Sequence, residues 1–379
     1  MPLKREKKLV EGKKNDEIYR KLQHHLDKMP IGYPRAESGS DILLLKMLFT
    51  PEEAKIATYL KFDWFRTMES LDTIYKRVKS LEISLKDLEK TLDNMAKKGS
   101  ILSKMEGKKK YFANAPLIIG MYEFQVDKLS REFLEVLSNY VGEVWRKKAN
   151  PTKYDQLRII PVEIEVEPEL GIAQYDDVRR IIERSNGPFV KINCICRQAK
   201  DLAAEPCKMT EHRDNCLGLG DMAQMYIDQG YGVEINKEET LQILERNREE
   251  GLILRPSNSQ KVEFICSCCY CCDGAISSLK EITKPVDYVL SNYYSIIDQE
   301  LCVGCGSCIE RCQTIAIKLG DEKALIDKKR CIGCGNCITI CPSKAITLHK
   351  KEIETIPPES MDDLYSLIQK EKRKSTKTN

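Results

Sequence analysis

The chain has 379 residues, enough for two or three domains, and its net charge of +3 excludes a nucleic-acid polycation. No apolar run reaches the roughly 18 residues of a membrane helix. The charged opening "MPLKREKKLVEGKKNDE" lacks the apolar core of a secretory signal, so a cytoplasmic chain is expected. There, seventeen cysteines point to metal rather than to disulfides.

Residues 1–40 read as a charged leader followed by the turn-rich linker "MPIGYPRAESGS". From Asp41 the pattern is helical. "DILLLKMLF" reads as a buried helix. "TPEEAKIATYLK" opens with Thr50 as cap and Pro51 at the first helical position. "SLDTIYKRVK" is capped by Ser70. "SLKDLEKTLDNMAKKG" runs from Ser84 to Gly99, with Leu85, Leu88, Leu92 and Met95 on one stripe. "ILSKMEGKKKYFANA" then reads as strand, turn and strand.

Helices followed by a basic hairpin, over Asp41–Pro116, resemble a winged helix-turn-helix domain, which we bound at 41–129. The resemblance implies a recognition helix at Leu85–Lys98, but that helix mixes four basic with three acidic residues and contains no Arg. Lys104, Lys108, Lys109 and Lys110 of the wing are placed to meet phosphates. DNA is therefore a partner that the charge pattern does not favour, and the domain reads as a docking or structural element.

Residues 130–293 read as a Cys-rich α/β domain. "SREFLEVLSNYVGEVWRKK" and "YDDVRRIIERSN" are helical, and "LRIIPVEIEVEPE" alternates like a strand. "TLQILERNREEGLILRP" is a helix closing near Gly251, then a short strand. Nine cysteines fall here: Cys194, Cys196, Cys207, Cys216, Cys266, Cys268, Cys269, Cys271 and Cys272. "FVKINCIC" and "VEFICSC" each deliver a Cys-x-Cys tip. If these strands pair, Cys194 and Cys196 meet Cys266 and Cys268, and the loop carrying Cys207 and Cys216 folds over them. Ligand softness favours an additional iron–sulfur cluster over structural zinc. Arg197, His212 and Arg213 sit beside these thiols; ordinary surface charge is the preferred reading of His212.

Residues 294–350 carry a repeat. "IDQELCVGCGSCIERCQTIAI" (Ile297–Ile317) returns as "IDKKRCIGCGNCITICPSKAI" (Ile326–Ile346). Each copy spaces its cysteines C-x2-C-x2-C-x3-C, an iron–sulfur run whose fourth Cys serves the other cluster. Cys302, Cys305, Cys308 and Cys341 are thereby assigned to one [4Fe-4S] cluster, and Cys331, Cys334, Cys337 and Cys312 to the other. Zinc sites favour two separated C-x2-C pairs instead.

The repeat resembles the bacterial-type 2[4Fe-4S] ferredoxins, which implies two packed hairpin-and-helix halves. In that family a Pro usually follows the fourth Cys. Pro342 fits, whereas Gln313 keeps a backbone N–H that Pro lacks. Residues 351–379 read as a basic tail, unstructured over "QKEKRKSTKTN". The combination of winged helix, "CICR…CSCCYCC" and ferredoxin repeat resembles 4Fe-4S dicluster proteins of anaerobic prokaryotes.

The fold class expected is thus multidomain α+β: a winged helix-turn-helix, a Cys-rich α/β middle domain and a ferredoxin-like module. The function expected is electron transfer with a redox protein partner, or an iron–sulfur oxidoreductase if the middle centre keeps an open iron. The alternative is a redox-responsive DNA-binding regulator. No phosphate-cradling glycine motif for a nucleotide cofactor is found.

Overall fold

The computed structural model describes residues 16–162 and 173–378. The leader through residue 15, and residues 163–172 with most of the strand expected in "LRIIPVEIEVEPE", lie outside the described residues. The chain divides into two compact units, Met1–Tyr154 with Tyr365–Asn379, and Asp155–Leu364.

In the first unit, local signals set the helices. Thr50 and Glu53 form a reciprocal capping box on Pro51–Ala57. The Ser70 and Ser84 hydroxyls cap Leu71–Arg77 and Leu85–Lys98. Gly99 ends the latter helix at φ 82°, and a Cβ there would meet Phe124 Cβ at 2.5 Å, so only glycine fits. Leu88, Leu92 and Met95 of that helix are buried, whereas Leu85, expected on the same stripe, is 39% exposed.

Strands β1 (Glu69–Ser70), β2 (Ile101–Glu106) and β3 (Lys109–Asn114) make an antiparallel sheet in the order β1-β3-β2. Helix Arg131–Tyr140 buries Phe133, Leu137 and Tyr140. The C-terminal segment corrects the expectation of an unstructured tail, because Met361–Thr378 is helical. Tyr365 packs on Phe62 and Trp64, with ring centroids 5.0 and 5.1 Å away.

The second unit is built on an antiparallel sheet of β4 (Phe189–Ile192), β5 (Cys216–Leu219), β6 (Val233–Ile235), β7 (Ile253–Pro256) and β8 (Phe264–Cys268). Its order is β6-β4-β5-β8-β7, and every pairing is antiparallel. The middle region is therefore α+β rather than α/β. Helices Val178–Arg184 and Lys237–Glu249 bury Ile181, Ile182, Ile243 and Leu244 against Phe189, Leu217, Leu254 and Ile265. Burying this core stabilises the unit at ~25 cal/mol per Å² of apolar area removed from water.

The repeat follows as two small antiparallel pairs. β9 (Tyr293–Ile297) pairs with β12 (Ile346–Lys350), and β10 (Ile317–Leu319) with β11 (Ala324–Ile326). Polar anchors join it to the sheet region of the same unit. Arg158 pairs with Asp176 at 2.8 Å, both buried, and Asn292 donates to the second Asp176 oxygen at 3.0 Å. Arg330 donates to the carbonyls of Leu279, Lys280 and Ile282. Among the described residues, no helix is long and apolar enough to cross a membrane.

Candidate metal centres

The eight repeat cysteines fall into two quartets that exchange their last members. Cys302, Cys305, Cys308 and Cys341 line one cavity; Cys312, Cys331, Cys334 and Cys337 line another. In each copy two glycines permit the tight cysteine loop. Gly304 has φ 68° and Gly333 φ 66°, and a Cβ on either would strike a backbone carbonyl, of Glu322 at 2.1 Å or of Tyr293 at 2.2 Å.

The two quartets differ in exposure. Cys305 is exposed, and its thiol is drawn down by the Ser307 backbone N–H. The second quartet is the inner one. Burial pushes Cys334 up to about 12 and raises Cys331 and Cys337. Ser295 N–H donates to Cys331 Sγ at 3.3 Å, and Ala316 N–H to Cys312 Sγ at 3.2 Å, the kind of contact that tunes cluster sulfurs.

Gln313 is buried at the inner quartet. Its Nε2 donates to the Gly251 carbonyl, and its Oε1 accepts from Tyr270 N–H at 2.8 Å. Asn336 Nδ2 reaches the same Gly251 carbonyl at 2.9 Å. The neighbouring Leu252 packs against Cys269 and Cys272. A single backbone step therefore separates the inner quartet from the middle cysteines.

The nine middle cysteines do not gather at one point. β5 lies between β4 and β8, so the two Cys-x-Cys tips are not on adjacent strands as expected. Cys216 starts β5 and sits opposite Ile192, and the register Leu217↔Ile265 brings it beside Cys266. Cys194 caps helix Ile195–Leu202, and Cys196 lies within that helix rather than on a strand. Each of these thiols is electrostatically coupled to its neighbours, Cys194 to Cys196 and Cys216, and Cys266 to Cys216 and Cys268. These five make a row along one end of the sheet.

The remaining four make a compact group. Cys207 comes from the loop after Ile195–Leu202, and Cys269, Cys271 and Cys272 from the turn after β8. Cys207 Sγ is 3.7 Å from those of Cys269 and Cys271. Cys271 Sγ is 3.5 Å from Cys269 and 3.7 Å from Cys272. All four lie within 4.8 Å of one another. A tetrahedral ion with metal–sulfur bonds of ~2.3 Å has ligand sulfurs ~3.8 Å apart. The spacing fits a single ion, which shifts the balance at this group from a cubane toward zinc or one iron. Lys208 N–H supports Cys271 Sγ at 3.4 Å.

Charged neighbours sort differently from the sequence reading. Arg197 is fully buried, with Nη2 on Ser267 O at 3.0 Å and on Cys269 Sγ at 3.6 Å. Arg255 Nη1 lies 3.9 Å from Cys268 Sγ and 3.1 Å from Asp273. In the sequence the signal for Arg255 is its place as the penultimate residue of the apolar strand β7. Arg213 is held by Asp201 at 2.7 Å, and His212 is a surface residue 2.6 Å from Glu250.

In the first unit, the basic wing is partly neutralised. Lys104 pairs with Glu106 at 2.8 Å, and Lys110 with Glu89 at 2.8 Å and Asp93 at 2.7 Å. Lys108 on the turn and Lys109 at the start of β3 remain exposed.

Residues 294–357 match the 4Fe-4S dicluster domain family. No curated protein and no solved structure significantly matches the chain.

Proposed function

We propose that this chain is an iron–sulfur electron carrier whose dicluster region relays single electrons between an external redox protein and the cysteine-bearing sheet. Cys302, Cys305, Cys308 and Cys341 would hold the outer [4Fe-4S] cluster, and Cys312, Cys331, Cys334 and Cys337 the inner. The clusters supply reversible one-electron storage. The middle cysteines would hold at least one further metal.

The observation that carries the reading is the pair of crossed quartets of unequal exposure. Exposed Cys305 offers the outer cluster to a partner, while Gln313 and Asn336 fix the inner cluster against Gly251–Leu252. The protein's part is to hold thiolates, exclude water from the inner quartet and aim backbone N–H groups at sulfur. A winged-helix reading of Asp41–Pro116 draws support from the helices and three-stranded sheet there. Its ion-paired lysines favour a structural or protein-docking role. A cytoplasmic location accords with free thiols.

Anaerobic purification with iron and sulfide counting, followed by EPR of the reduced protein, tests the proposal. About eight iron and eight sulfide in the dicluster region, with two interacting paramagnets, are expected. Two zinc ions and no sulfide in that region would refute it.

A further inference from the structure

We infer that the middle cysteines form two separate thiolate centres rather than one. The first is a mononuclear site at Cys207, Cys269, Cys271 and Cys272. The second is a polynuclear site along the row of Cys196, Cys194, Cys216, Cys266 and Cys268, with Arg197 as the shared counter-charge. The inference rests on the electron-carrier reading, and gives the inner cluster a redox neighbour.

The division follows from chain geometry. β5 inserts between β4 and β8, so Cys216 joins the two outer pairs into a row on the sheet end. The turn Cys269–Cys272 leaves the sheet, and the Cys207 loop closes on it. The two thiol sets are thus contributed by different backbone features, although Cys268 and Cys269 are neighbours in sequence and Cys196 packs beside Cys269 and Cys272.

The number of ligands separates their chemistry. Four thiols, with four of their six separations at 3.5–3.7 Å and all within 4.8 Å, complete one tetrahedral ion. Five thiols exceed what one such ion binds, and they reach the sheet end from three backbone features, helix Ile195–Leu202 with its N-terminal Cys194, the start of β5 and the end of β8. Bridging by thiolate or sulfide lets more than one metal use such a row.

Arg197 supplies an independent observation. It is 0% exposed, and its Nε and Nη1 have no hydrogen-bond partner. Its surroundings are Ser267 O and thiols from both sets, with no carboxylate in contact among the described residues. A buried guanidinium beside neutral thiols is an uncompensated charge. Metal-bound thiolates remove that cost, and the two vacant donors then meet anionic sulfur. Arg255, beside Cys268, differs in being already paired with Asp273 at 3.1 Å.

The test uses the full chain prepared anaerobically, with metals counted by mass spectrometry. The double variant Cys207→Ser, Cys272→Ser is expected to lose one metal ion per chain and keep the others. Cys216→Ser is expected to lose at least two and keep the single ion. The triple variant should retain about eight iron and eight sulfide, the content of two cubanes. Loss of the same ions by both kinds of variant, or full metal content in Cys216→Ser, overturns the two-centre inference. A triple-variant residue without that iron and sulfide refutes the dicluster assignment instead, leaving the two failures distinguishable. Should Cys216→Ser not fold, Cys268→Ser at the end of the row is read by EPR and X-ray absorption. A changed row signal with the single ion kept is expected, and an unchanged signal overturns the inference.

Discussion

Gln313 Oε1 accepts the backbone N–H of Tyr270 at 2.8 Å, joining the residue after Cys312 to the turn between Cys269 and Cys271. A proline at this position has no amide side chain, so it could make neither this bond nor the one to Gly251. The departure from the ferredoxin pattern therefore creates a contact between the inner quartet and the middle thiols. Gln313→Leu leaves the Tyr270 N–H without its partner, while the Gly251 carbonyl keeps only its bond from Asn336. We expect it to cost about 1–3 kcal/mol in anaerobic denaturation and to shift the inner cluster's EPR signal. An unchanged midpoint and spectrum would remove Gln313 from this role.

The crossing of the repeat is checked with two variants. Cys341→Ser should alter the signal of the outer cluster, and Cys312→Ser that of the inner one. Assignment by solvent exposure distinguishes them: the outer signal should relax faster with an added aqueous spin label. Each variant disturbing the cluster of its own run would reverse the assignment.

Arg197→Met removes the common cation while leaving every thiol in place. Residues that support metal ligands typically cost 10–100-fold in affinity when replaced. A drop of that size is expected in the retention of metal at both middle sites under a chelator, with Arg197→Lys giving partial recovery. Equal retention in wild type and Arg197→Met would show that the guanidinium is compensated in another way.

The paired lysines of the wing predict weak, sequence-blind DNA binding. With Lys104 and Lys110 engaged by carboxylates, the exposed Lys108 and Lys109 are the two of the four wing lysines left to release counterions. The logarithm of any DNA affinity should therefore fall with log salt at a slope of about −2, at roughly −0.9 per phosphate contact. A steep slope with a preferred operator sequence would restore the regulator reading.

All seventeen cysteines lie within Asp155–Leu364. Stripping the metals should accelerate hydrogen exchange at β4, β5, β8 and the Cys269–Cys272 turn, because metal binding and folding are coupled there. Exchange at β2 and β3 should stay at its holo level. Equal loosening of both regions would contradict the division into units.

Much of this was legible where the signal is local. Thr50, Ser70, Ser84 and Gly99 mark their helix ends because capping needs only a few neighbouring residues. The quartets were legible because a C-x2-C-x2-C-x3-C loop can wrap only a few geometries. The split of the middle cysteines was not legible. It depends on β5, a four-residue strand reading "CLGL" whose Gly218 weakens the pattern, lying between two strands far from it in sequence. The C-terminal helix is masked in the sequence by its charged end, which hides the apolar spacing of Met361, Leu364, Tyr365 and Ile368. Those four residues follow helical spacing and are buried.

The exchange of fourth cysteines has a consequence for the order of synthesis. In the proposed assignment the run written first is finished last. Cys302, Cys305 and Cys308 leave the ribosome and then wait for Cys341, whereas the inner set closes at Cys337 with Cys312 already made. The four-thiol turn is complete earlier still, at Cys272. A nascent chain thus exposes three open thiols of the outer set for longer than those of any other set in the repeat. Insertion machinery that acts during translation would meet the buried centres first and the partner-facing one at the end.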